Sequence, residues 1–201
     1  MKTNNLRFVE ETRSIMERKK SLRATMKERR GLIDNRDSKE LLLLENFQMI
    51  MEETQLKNCK NFFVYLSFSS EAPTDKLIAY LLEKGKEVYC PRIEGKEMYA
   101  VRFGEDFSLS DYGIREPIGE RFQGELDVLL MPLLAVDLQG NRLGYGGGFY
   151  DKFIQRYEQA KRIAYCYDVQ VISTVPTEPT DKKIEYIVTD KRIVAVTKNL
   201  Q

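Results

Sequence analysis

No histidine and no tryptophan occur among the 201 residues of this chain. Without histidine, Ser-His-Asp and Cys-His catalysis, the usual zinc sites and the ordinary neutral-pH general base are all excluded. The chemistry left rests on carboxylates, cations, backbone dipoles and metal ions. Cysteine is scarce as well. Cys59, Cys90 and Cys166 are odd in number, far apart and without a CxxC pair, which argues against a disulfide framework or structural zinc and fits a reducing compartment. All three are expected to be small buried apolar residues. Nor is there an excess charge of either sign. Lys and Arg number 32 against 31 Asp and Glu, a formal balance of +1, so no global field draws the chain to nucleic acid or an anionic membrane. The longest apolar run, Leu41 to Leu44, is far too short to span a bilayer, and Met1 to Arg7 lack the apolar centre of a signal peptide. A soluble, cytoplasmic protein is the expectation, with a single domain over residues 1–201 and enough chain to bury a core unaided.

What the sequence does have is glycine in one place. Gly140 to Asp151 holds five of the twelve glycines, four of them within Gly144 to Gly148. Such a loop can take positive φ and let a ligand approach its N–H groups with no Cβ in the way. Directly after it, Tyr150, Phe153, Ile154 and Tyr157 recur at the i, i+3, i+4, i+7 spacing of an amphipathic helix. Free N–H groups feeding a positive helix end make an anion site, and phosphate is the usual anion. The named phosphate loops do not match. Counting from Gly144, the dinucleotide fingerprint would need a glycine where Phe149 stands, and the Walker pattern would need Lys and Ser or Thr after Gly148. A flexible turn joining strand to helix is the alternative. Arg142 before the loop and Asp151 after it weigh against that, since they supply a phosphate-pairing cation and a carboxylate suited to Mg²⁺.

Along the chain, a charged helix is expected from Phe8 to Arg30, with Ile15, Leu22 and Met26 as a thin apolar stripe and Gly31 at its end. A second should start at Asp37, where Asp37 and Glu40 have capping-box spacing, and end before Asn58. Asn61 to Ser67 reads as a buried strand, Thr74 to Lys84 as a Thr74-capped helix, and Glu87 to Cys90 as the next strand, which together suggest a parallel crossover. Short strands are expected around Arg92 and over Met98 to Phe103, then one over Leu126 to Met131, stopped by Pro132. The loop helix should run to about Glu158 and Arg162 to Tyr167 should return as a strand. Lys183 to Thr189 and Arg192 to Thr197 should close the chain as a hairpin. The alternation predicts an α/β fold: one three-layer domain, a mixed, mostly parallel sheet with helices on both faces.

Arg142 to Asp151, RLGYGGGFYD, resembles the signature of the 5-formyltetrahydrofolate cyclo-ligases, also called methenyltetrahydrofolate synthetases. Lys19 to Arg23, Tyr65 to Ser67 with Glu71 beyond, and Asp181 ahead of Ile187 to Thr189 agree with the family in the same order, so the resemblance runs from about Lys19 to Val196. It implies an enzyme that uses ATP as co-substrate and Mg²⁺ to convert 5-formyltetrahydrofolate into 5,10-methenyltetrahydrofolate; a monomer acting on these small molecules is expected, and the charge balance predicts no nucleic-acid or membrane partner. By the same resemblance Lys19, Arg23 and Arg142 to Tyr150 (Leu143, Gly144, Tyr145, Gly146, Gly147, Gly148 and Phe149 between them) hold ATP. Arg142 and Tyr150 are catalytic, Leu66, Glu71 and Tyr145 to Phe149 meet the folate, and Asp151 and Asp181 take the metal.

Each residue also has a plainer reading. Lys19 and Arg23 lie four apart on a helix face that composition alone would leave solvated, and Lys20 and Lys27 are expected to stay there. Arg142 and Asp151 could be a surface ion pair, Asp181 part of a turn, and Phe149 and Tyr150 helix packing. The family often has Asp where this chain has Glu185, so no metal role is assigned to Glu185, and some members have basic residues inside the loop where Tyr145 and Gly147 stand. A non-catalytic nucleotide- or RNA-binding relative would carry a damaged loop, lack Asp151 or add a basic tail, and none of these is seen in the sequence. A generic small-metabolite kinase shares the loop but has no assigned acceptor or base.

Overall fold

The computed structural model describes residues 2–111 and 113–196, with side chains from residue 13 onward. Helices α1 (Lys2–Gly31) and α2 (Arg36–Glu53) lead into β1 (Asn61–Phe63), α3 (Asp75–Glu83) and the hairpin of β2 (Glu87–Glu94) and β3 (Glu97–Arg102). A small hairpin, β4 (Phe107–Leu109) and β5 (Arg115–Pro117), precedes β6 (Val128–Met131), and β7 (Ala135–Asp137) pairs with β8 (Arg142–Leu143). Then come α4 (Phe149–Arg156), β9 (Lys161–Tyr165), β10 (Val171–Ile172), β11 (Tyr186–Val188) and β12 (Ile193–Ala195). Seven strands make the main sheet in the order β12-β11-β9-β6-β1-β2-β3. Its five inner strands are parallel and both edges antiparallel.

Side chains alternate faces along each inner strand, and both faces are apolar, as a sheet covered on two sides requires. Phe62, Val88, Leu130, Ile163 and Val188 pack with α2 and α3, while Phe63, Tyr89, Leu129, Ala164 and Ile187 pack with α4. This is the three-layer α/β fold expected. Helix α1 lies elsewhere. Its Met26 is buried with Leu134, Ala135, Leu143 and Val175, so α1 rests on the β7–β8 strands and is held beside the glycine loop that follows β8.

Several boundaries differ from expectation. Strand β1 stops at Phe63 because the chain turns away after Val64 N–H bonds the Tyr89 carbonyl. Thr74 stands at the α3 N-cap, but its hydroxyl makes no capping bond. It donates to the Tyr65 carbonyl and accepts from Ser67 N–H, tying the 65–74 loop to the end of β1. Helix α2 is entered through Asn35 in the left-handed conformation. The expected capping box is absent, because Glu40 pairs with Lys76 of α3. Helix α4 ends at Arg156, and β9 spans Lys161–Tyr165. The closing hairpin is present; Thr197, its expected end, lies outside the described residues. Cys90 and Cys166 are buried, whereas Cys59 is only half-buried.

Candidate functional site

The segments after β1 and β6, the outer part of β2 and the loop after β8 meet at the carboxyl side of the parallel strands, where ligands of open α/β sheets collect. The loop has the properties its glycines imply. Gly146 has φ +97, and Gly148 has φ +70 as the residue before α4. Among the described residues, none of the N–H groups from Gly144 to Asp151 donates a hydrogen bond. A row of unpaired donors at a helix start, beside cations, is an anion site.

Two cavities flank this loop and share Arg142, Gly144, Gly146, Gly148 and Asp151 as a common wall. The first, about 580 Å³, is lined mainly by charged residues and lies under α1, with Lys19, Lys20, Arg23, Asp181 and Glu178 on it. The second, about 750 Å³, is largely apolar and is lined by Tyr65, Leu66, Phe68, Ile93, Met98 and Phe149, with Glu71 and Glu116 among them. Arg142 stands between the two. Its Nη2 meets Asp151 Oδ1 at 2.5 Å, and its Nε is buried with no partner. Burial draws the guanidinium pKa down against the field of Asp151. A buried cation with an orphaned donor beside free amides can accept an anionic oxygen at little reorganisation cost.

On the cationic side, Arg23 Nε donates to the Gly144 carbonyl at 2.9 Å, fixing the loop against α1. Lys19 lines the cavity, as the resemblance implies, and is paired there. It is 6% exposed, against the plainer reading of a solvated face, and its Nζ is 2.7 Å from both Glu178 Oε2 and Asp181 Oδ2. Burial pulls its pKa down, but the hydrogen bonds and charges of Asp181 and Glu178 outweigh that and leave it raised. Asp181 Oδ2 also accepts from Glu178 N–H, so this carboxylate is the centre of a small network rather than a plain turn residue.

On the apolar side, the Tyr145 hydroxyl joins Arg30 Nη1, 2.6 Å away, to Glu71 Oε1. Burial raises the Glu71 pKa, and the hydrogen bonds from Tyr145 and the Phe68 N–H oppose the rise. Burial and then the Glu71 charge push the Tyr145 and Tyr150 phenols above their usual range, so both keep their protons at neutral pH. The Tyr150 ring packs on Phe63, its centroid 6.3 Å away, which places it between loop and sheet.

Of the residues singled out by sequence, Lys19, Arg23, Leu143, Asp181 and four shared with the other side (Arg142, Gly144, Gly146, Gly148) line the cationic cavity, as does Asp151. Leu66, Glu71, Tyr145, Gly147, Phe149 and Tyr150 line the apolar one. Lys20 and Lys27 are exposed, as expected of the solvated face, and border the first and second cavities respectively. Arg30, Glu116 and Glu178 went unrecognised. For α1 a signal existed: Lys20, Arg23, Lys27 and Arg30 recur at spacings of three and four, a cationic stripe on one helix face. Glu185 holds the Arg162 N–H and guanidinium, away from both cavities.

Fold and site together describe an α/β protein with a charge-lined cavity and an apolar cavity on opposite sides of one glycine loop. Comparison with known proteins gives this class its family. The family model for 5-formyltetrahydrofolate cyclo-ligases matches residues 15–190. A probable 5-formyltetrahydrofolate cyclo-ligase of Caenorhabditis elegans is 30% identical over 194 residues, covering 87% of this chain and 94% of the relative. The mitochondrial 5-formyltetrahydrofolate cyclo-ligase of Arabidopsis thaliana is 29% identical over 181 residues, covering 74% of this chain, which spans 65% of that relative's length. The solution structure of Aquifex aeolicus 5,10-methenyltetrahydrofolate synthetase superposes with a TM-score of 0.77 at 26% identity, covering 91% of this chain and 95% of that one. The chain belongs to the 5-formyltetrahydrofolate cyclo-ligase family.

Proposed function

We propose that this protein uses ATP to close 5-formyltetrahydrofolate to 5,10-methenyltetrahydrofolate, releasing ADP and phosphate. The observation that carries the proposal is the shared wall: a loop of unpaired amides with a charge-lined cavity on one side and an apolar cavity on the other. ATP occupies the first cavity, its phosphates over Gly144 to Gly148 beneath Lys19, Arg23 and Arg142. The pterin occupies the second, against Leu66, Phe149 and Tyr145. The N5-formyl oxygen then attacks the γ-phosphorus in line, and ADP departs. The N10 amine next adds to the activated formyl carbon, phosphate leaves with the formyl oxygen, and the N10 proton passes to solvent or the departing phosphate.

No side chain has to take a proton in the first step, which suits a chain without histidine; positioning and charge neutralisation carry phosphoryl transfer. Arg142 and the loop amides meet charge developing on the transferred group. Tyr150, kept protonated, donates at the same wall. The donor set suits Mg²⁺ arriving with ATP. Asp151 and Asp181 each face the cationic cavity as hard oxygen ligands, and the described residues offer no group of three or more side chains that would hold a metal alone. Bound there, Mg²⁺ would neutralise the phosphates, with Asp151 as its main protein ligand and Asp181 the second. We take the protein to act as a cytoplasmic monomer on these small molecules alone; the near-balanced charge supports the lack of a nucleic-acid role.

Incubation with Mg-ATP and 5-formyltetrahydrofolate tests the reading. The methenyl chromophore should appear and require both substrates. Folded protein that binds ATP yet never forms the chromophore is the result expected of a non-catalytic relative, and ADP release without it is that expected of a kinase.

A further inference from the structure

Glu116 is a buried carboxylate that the proposed ring closure leaves unused. It lies on β5, 7% exposed, and faces the apolar cavity among Pro91, Ile93, Met98 and Ile114. A carboxylate taken from water needs hydrogen-bond donors or a countercharge. Glu116 has one donor, the Ile93 N–H, at 3.2 Å from Oε1. Among the described residues no side chain donates to either oxygen. Arg92, whose field reaches it, is committed elsewhere, with Nη1 on the Pro117 carbonyl and Nε 3.3 Å from Glu94. Burial accordingly lifts the Glu116 carboxyl above its usual range. The other cavity carboxylate, Glu71, differs: the Phe68 N–H and the Tyr145 hydroxyl already occupy it.

We infer that Glu116 recognises the 2-amino-4-oxo edge of the pterin and is the residue that selects this ring for the apolar cavity. The inference rests on the proposed folate chemistry of that cavity. A tetrahydropterin presents N3–H and a 2-amino N–H side by side, two parallel donors that a carboxylate accepts as a fork. The formyl-bearing N5 belongs to the other ring, so anchoring the pyrimidine edge on β5 turns N5 toward the glycine loop on the same cavity. The negative charge of Glu116 also repels the glutamate carboxylates of the substrate, which fixes the ring-first orientation.

Calorimetry on the intact protein separates this from a structural role. Glu116→Gln keeps an oxygen for the Ile93 N–H and removes the charge and one acceptor. The variant should bind 5-formyltetrahydrofolate about 10–100-fold more weakly, the loss expected for a charged hydrogen-bonding pair. For the analogue with methyl in place of the 2-amino group, which keeps only the N3–H donor, the loss from wild type to variant should be smaller by about threefold or more. Glu116→Asp, with the charge drawn back one methylene, should fall between, and Mg-ATP affinity should match wild type in both variants. Equal losses for the two ligands, or no loss for either, would overturn the assignment to Glu116 while leaving the folate reading intact. A wild-type protein that binds neither ligand would remove the folate reading and this inference with it.

Discussion

Replacing Lys19 with methionine removes one charge and keeps most of the aliphatic stem, so its effect comes from the two carboxylates left behind. Lys19 Nζ lies 2.7 Å from both, and the side chains are 8% exposed for Lys19, 34% for Glu178 and 24% for Asp181. Breaking a fully buried ion pair costs about 3–5 kcal/mol, and breaking an exposed one about 0–1 kcal/mol. Here the cation is buried and the carboxylates are partly wet, which places the cost near 2 kcal/mol. For a chain of this length that is a fall in Tm of about 4–8 °C. Thermal melts of wild type, Lys19→Met, Asp181→Asn and the double variant form a cycle. The double variant should recover part of the loss, because one stranded charge is gone. The raised Lys19 pKa fixes the sign with pH: the contribution is complete below the unfolded-state value and disappears as pH rises through the folded one. On the alkaline side the gap between wild type and Lys19→Met should therefore persist until strongly alkaline solution. The KM for ATP should rise about tenfold in the same variant. A Tm within about 1 °C of wild type, with no recovery in the double variant, would refute the network.

Asp151→Asn leaves an oxygen for Arg142 Nη2 and should keep the fold. Turnover should drop about a hundredfold and recover in part at raised Mg²⁺, read from rate against metal concentration. Gly146→Val puts a branched side chain at φ +97, its Cβ 3.2 Å from the Arg23 guanidinium carbon. Mg-ATP affinity by calorimetry should fall about tenfold or more, and Gly147→Val, where φ is not positive and a Phe149 ring carbon is 3.0 Å away, should lose less. Glu71 has a raised carboxyl pKa, so its stabilising contribution is present at acid pH and lost as pH climbs through the folded value. Glu71→Gln should thus melt higher than wild type at neutral pH, with the gain vanishing below the usual glutamate pKa of about 4.3.

Local pattern carried much of this structure. The glycine loop, the helix after it and the apolar strands were legible because each is written in adjacent residues or in a period of two or about four. Pairings across the chain were not. Nothing near Lys19 announces that Glu178 and Asp181, some 160 residues on, will close over it. Asn61 to Ser67 reads as one strand because Tyr65 and Leu66 are apolar, yet they are buried as cavity wall and not as sheet. The Asp37 and Glu40 spacing mimicked a capping box because the competing partner of Glu40, Lys76, lies on another helix. Glu116 sits in an ordinary Arg-Glu-Pro stretch, and only the packing of β5 against β2 turns it inward. The site residues came mostly from the loop and the family resemblance. The part added by geometry is the second set of charges, Arg30, Glu116 and Glu178.

The central claim is that the loop brings the formyl oxygen of one cavity onto the γ-phosphorus of the other, and an isotope label follows that oxygen directly. 5-Formyltetrahydrofolate carrying a heavy oxygen isotope in the formyl group, turned over with Mg-ATP, should give inorganic phosphate with one labelled oxygen for each methenyl product formed. Unlabelled phosphate alongside methenyl product would mean that the formyl oxygen never bonded phosphorus, and would contradict the account.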